Sequence, residues 1–114
     1  NEKAETPLNA EFVAEYRKRH HSPPTEDAAD AFATAQILEA AVQAVGEIDQ
    51  DRIAEWLHNH EVQTILGKYG WDETGAAHAQ FMLAQWQGGK VEVVAPGKVA
   101  TTEDVVHPKP AWPR

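Results

Sequence analysis

The pattern of apolar and polar positions is most unusual between Thr25 and Gly46, where the chain reads TEDAADAFATAQILEAAVQAVG. Thr25 is placed to cap a helix, Glu26 and Asp27 follow in a first turn that favours acids, and Gly46 is a natural residue to end it. Beyond that first turn the only charged residues are Asp30 and Glu39. Phe32, Ile37, Leu38, Val42, Val45 and a series of alanines fall on nearly every face. A surface helix keeps a clear polar half, and one that is apolar almost all round belongs in the core of a larger structure. The rest of this chain, a missing part of it, or a partner is therefore expected to cover this helix.

The flanking pattern predicts two more helices. Asn9 is placed as an N-cap for a helix over about residues 10–20, with Leu8 and Val13 positioned to staple its entry. Phe12, Val13 and Tyr16 give it one apolar stripe, opposite Glu11, Arg17 and Lys18, and Ser22-Pro23-Pro24 ends it because proline removes a donor and restricts its predecessor. Asp49 caps a third helix over about residues 50–59, Ile48 and Ile53 repeat the staple arrangement, and Ile53, Trp56 and Leu57 form its buried stripe. The second and third helices should form a helical hairpin.

The periodicity changes after His60. Val62 to Leu66 is short and β-branched, Gly67, Gly70 and Gly75 break the next stretch, and Asp72-Glu73-Thr74-Gly75 suits a type I turn. Ala79 to Trp86 alternates as a strand, Gly88-Gly89 signals a hairpin turn, and Val91, Val93 and Val94 make a second strand ending at Pro96. From Gly97 to Arg114 the chain is polar and proline-rich, which predicts an extended tail lying on another surface, with Trp112 docked. The predicted fold class of the chain is α+β: three helices, an antiparallel hairpin and an extended tail.

Length and charge bound what this assembly can do. The 114 residues make at most one ordinary domain. A net charge of −8, from 18 acids against 10 bases, argues against a nucleic-acid partner, which needs a basic face to displace counterions. The one basic run, Arg17-Lys18-Arg19-His20-His21, closes a helix and complements its negative end. The absence of cysteine excludes disulfides and thiolate sites. No stretch approaches the roughly 18 apolar residues of a membrane-spanning helix.

Candidate chemistry is sparse. There is no phosphate-binding glycine loop, nucleophile elbow or HExxH motif, so no catalytic residue, cofactor or metal is assigned. His58 and His60 are two apart at a helix end and point in different directions, while His78 and His107 are isolated in sequence. Asp72, Glu73 and Thr74 are too few for a calcium loop. Trp56, Trp71 and Trp86 read as core or half-buried packing residues. Asp30 stands apart, one turn into an otherwise apolar helix and next to Ala31 and Phe32. A carboxylate beside an aromatic at a helix N-terminus can line a pocket for a small polar ligand; it can equally be an early acid that stabilises the dipole.

The order of these pieces resembles a specific family. ADAFATAQILEAAVQAVG, EIDQD and RIAEWL, then Thr64-Ile65-Leu66-Gly67, the turn Trp71-Asp72-Glu73-Thr74-Gly75, the stretch Gln85 to Lys90 (QWQGGK), a valine-rich strand closing on proline, and Pro108-Lys109-Pro110-Ala111-Trp112 are similar to the C-terminal part of the solute-binding proteins of branched-chain amino acid ABC transporters. The resemblance implies that the whole protein is α/β, with the two-lobe type I periplasmic-binding fold. In that fold three crossovers join lobes that close on a ligand. Residues 1–8 would be a mobile lead-in, residues 9–89 the C-terminal part of the first lobe, and residues 90–114 the last crossover and a tail toward the second lobe. Two lobes need ~100–150 residues each, so most of the fold, including the parallel strands under the apolar helix, would lie outside this chain.

The same resemblance implies a non-enzymatic, extracytoplasmic importer component. Its ligand would be a branched-chain amino acid or related small polar solute, and its partner a membrane permease. Phe32 best matches the family's aromatic near the start of this helix, with Asp30 beside it and Ala31 as the neighbouring register, so these three are the expected ligand-binding residues. Two other readings stand beside it: a ligand-sensing regulator on the same fold, and a small interaction module that self-associates through the Thr25–Gly46 helix.

Overall fold

The computed structural model describes residues 4–78 and 81–111. The chain divides into two compact units, residues 1–80 and 81–114, and each is described by itself. The first holds α1 (Asn9–His20), α2 (Glu26–Val45), α3 (Gln50–Asn59), β1 (Val62–Thr64), β2 (Gly67–Trp71) and β3 (Ala77–His78). The second holds β4 (Leu83–Gln87), β5 (Lys90–Ala95) and a single 3-10 turn, Gly97–Val99. The secondary structure is α+β, as the pattern predicts.

The caps of α2 and α3 form as expected. Thr25 Oγ1 accepts the N–H of Ala28 at 3.2 Å, and Asp49 Oδ1 accepts that of Arg52 at 2.9 Å. Each satisfies one of the donors that a helix start leaves open. Gly46 ends α2 with φ +79°, a left-handed conformation that glycine adopts without a Cβ clash, and its N–H donates to Val42 O at 2.8 Å.

The start of α1 corrects the sequence reading. Leu8, with φ +66°, occupies the cap position and no side chain caps the helix. Asn9 is already helical and buried, and its Nδ2 donates to Ala4 O at 3.0 Å. Thr6 adds a bond from Oγ1 to the carbonyl of Ile65, which links the lead-in to the β1–β2 turn. The second staple also fails: Ile48 is 87% exposed and does not cover Ile53.

α2 packs on α3 and β1, and α3 packs on β2. The contact face of α2 is built from small residues, with Ala33 and Ala41 fully or nearly fully buried, so its backbone approaches its neighbours closely. Val62, Thr64 and Ile65 supply the rest of this core. Ile37, Val42 and Val45 are half-buried, whereas Leu38 is 56% exposed. The apolar excess of α2 is thus only partly covered within the chain.

β1, β2 and β3 form an antiparallel sheet in that order, pairing Val62 with Tyr69, Thr64 with Gly67, and Gly70 with His78. The sequence pattern does not disclose β2, because Gly67 and Gly70 weaken a strand signal. The strand is held instead by tertiary contacts and by Thr64, whose Oγ1 donates to Gly67 O at 2.9 Å and accepts Leu66 N–H at 3.1 Å. The expected turn at Asp72 is present. Asp72 Oδ1 accepts the Thr74 hydroxyl at 2.6 Å, the Thr74 N–H at 2.8 Å and the Ala76 N–H at 3.0 Å.

In the second unit, β4 and β5 form the expected hairpin, with Trp86 opposite Val91 and Ala84 opposite Val93. Gly88 and Gly89 make its turn with φ +57° and +80°, the positive pair that a type I′ turn requires. The first strand begins at Leu83 and ends at Gln87, rather than spanning Ala79 to Trp86; Ala79 and Gln80 lie outside the described residues. Trp86 is 76% exposed, which corrects its assignment to packing, while Trp56 and Trp71 are half-buried as expected.

The tail runs along this hairpin. Gln85 exchanges two bonds of 2.9 Å with the backbone of Val106, Gln87 Nε2 donates to Asp104 O at 2.8 Å, and Thr101 N donates to Val93 O at 2.8 Å. The expected docking of Trp112 lies outside the described residues.

Candidate functional site

The three residues singled out from the sequence sit in the second turn of α2. All three are exposed, Phe32 at 38%. A helix turns about 100° per residue, so Asp30 and Phe32 stand on nearly opposite sides of α2, with Ala31 between them. Asp30 lies on the stripe that continues into Ala33, Ile37 and Ala41, and its carbonyl accepts the Thr34 hydroxyl at 2.9 Å. Ala31 begins the exposed stripe of Ala35 and Leu38. The three therefore do not converge on one pocket from the side of the helix.

Phe32 is the one with a structured environment. Its ring lies 4.9 Å from that of Phe12 on α1, at 42°. Phe12 in turn is 5.9 Å from Tyr16, and Tyr16 is 4.3 Å from His20, so four rings run from α2 along one side of α1. Residues 12, 16 and 20 follow the four-residue spacing that aligns side chains on a helix face. The apolar stripe of the first helix is legible in the sequence, but its meeting with Phe32 is not.

A second feature gathers side chains that are scattered in the sequence. His58, Asn59, His60, Glu61, Gly70, Trp71 and His78 line a shallow, open depression of about 200 Å³ at the end of α3. His58 Nδ1 bonds the Asp72 carbonyl at 2.9 Å; His60 Nδ1 bonds the Trp56 carbonyl at 2.8 Å, with its ring stacked 4.5 Å from the indole. His78 is brought beside them by its pairing with Gly70. Among the described residues, no group of three or more histidine, aspartate or glutamate side chains is arranged to hold a metal ion.

Two carboxylates are held below their ordinary range. Asp72 is lowered chiefly by the Thr74 hydroxyl, then by the N–H groups of Ala76 and Thr74. Glu15 is lowered first by its bond with Arg19, at 2.7 Å, and then by the charge of Lys18. Both groups are surface features of a turn and a helix, and neither adjoins the Asp30–Phe32 segment in sequence.

Comparison with known proteins agrees with the resemblance in the sequence. The sequence model of the periplasmic binding protein family matches residues 1–90. An amino acid binding protein from Pseudomonas aeruginosa is 37% identical over 57 residues, covering 49% of this chain and 15% of that protein. A solved ABC transporter structure from Rhodopseudomonas palustris has a TM-score of 0.62 and 26% identity, over 68% of this chain and 24% of its own. The chain thus spans less than a quarter of the length of either relative. With the family model covering most of its length and the fold shared, the chain belongs to the periplasmic binding protein family.

Proposed function

We propose that this chain forms part of the extracytoplasmic solute-binding component of an ABC importer. The ligand is a branched-chain amino acid or a related small polar solute, bound between two hinged lobes. In this reading residues 9–89 contribute to the first lobe, and residues 90–114 carry the last crossover and a tail toward the second. Asp30, Ala31 and Phe32, in the second turn of α2, are the ligand-binding residues of this chain. The protein performs no chemistry on its solute. Ligand bridges the lobes, binds the closed form more tightly than the open one, and so shifts the population toward the form that docks on the permease.

The observation that carries this reading is the family match over residues 1–90, supported by the fold shared with a solved ABC transporter structure. The amino-acid ligand is supported by the relative from Pseudomonas aeruginosa. Uptake of labelled leucine, isoleucine and valine by cells with and without the gene tests the importer role. Loss of uptake of at least one of them is expected, and unchanged uptake of all three contradicts a role in branched-chain amino acid import.

A second reading concerns this 114-residue piece by itself. The exposed stripe of Ala31, Ala35 and Leu38 leaves apolar surface of α2 in water, which favours self-association of the isolated chain through that helix.

A further inference from the structure

We draw no further inference here: the strongest candidate, the exposed apolar patch that Trp86 and the paired Val91 form on the β4–β5 hairpin, carries none because nothing in the structure shows what covers it.

Discussion

The side-chain oxygen of Gln36, in the middle of α2, accepts the backbone N–H of Ile65 at 2.9 Å. Ile65 is only 1% exposed, so this N–H has no ready access to water. One glutamine thereby fixes the apolar helix to the turn between β1 and β2. Gln36→Ala should leave a buried donor unpaired and cost about 1–3 kcal/mol. The urea midpoint of the chain, with the slope of the transition unchanged, measures the loss.

The same turn depends on Thr64, which is fully buried and bonded to both Gly67 O and Leu66 N. Thr64→Val keeps the shape but removes both bonds, and the expected cost is again about 1–3 kcal/mol. Thr64→Ser keeps the hydroxyl and should lose less. Equal destabilisation by the two variants would mean that the hydroxyl does not hold the turn.

Helix ends give smaller, independent effects. Thr25→Ala and Asp49→Ala should each destabilise by roughly 0.5–2 kcal/mol through loss of a cap. The two caps lie at separate helix starts, so their effects should add in the double variant. Thermal unfolding followed by circular dichroism reads each loss.

Asp72 gives the pH dependence. Its folded-state pKa is lowered from an ordinary 3.8 by the Thr74 hydroxyl and the Ala76 and Thr74 N–H groups. The carboxylate therefore contributes stability that is fully present above its unfolded value and is lost as pH falls through the folded one. Asp72→Asn should flatten the acid limb of the stability curve and leave its slope near neutral pH unchanged. Urea midpoints of the two proteins across the acid range test this, and parallel curves would rule Asp72 out as a source of the acid sensitivity.

Self-association of the isolated chain is expected to depend on the exposed stripe of α2. Leu38→Lys places a charge on it at its largest apolar side chain, which is already exposed, so folding should be little affected. Sedimentation of wild type and variant at matched concentrations should show larger species only for wild type. Monomers in both would show that the partly exposed helix tolerates water.

Legibility in the sequence tracks the range of the interactions. Thr25, Gly46 and Asp49 act on neighbours three or four residues away, and their roles can be read directly. The Gly88-Gly89 turn is readable for the same reason. Asn9 departs from its expected capping role because the backbone of Leu8 takes the left-handed cap conformation, leaving Asn9 inside the helix to bond Ala4. β2 escapes notice because its glycines look like breaks until Val62–Thr64 is laid beside it.

The candidate site shows the same division. The position of Phe32 near the start of an apolar helix is a local fact, while its contact with Phe12 crosses two helices and a Pro-Pro turn. The depression beside His58 and His78 likewise depends on a strand pairing that brings together residues twenty apart. No single window of sequence contains either arrangement.

The most direct measurement is a calorimetric titration of the full-length protein with leucine, isoleucine, valine and related small amino acids. Saturable one-to-one binding of at least one of them, with the solute recovered unchanged, is the predicted result. No binding of any of them would contradict the amino-acid ligand, and conversion of the solute to another compound would contradict a role limited to binding.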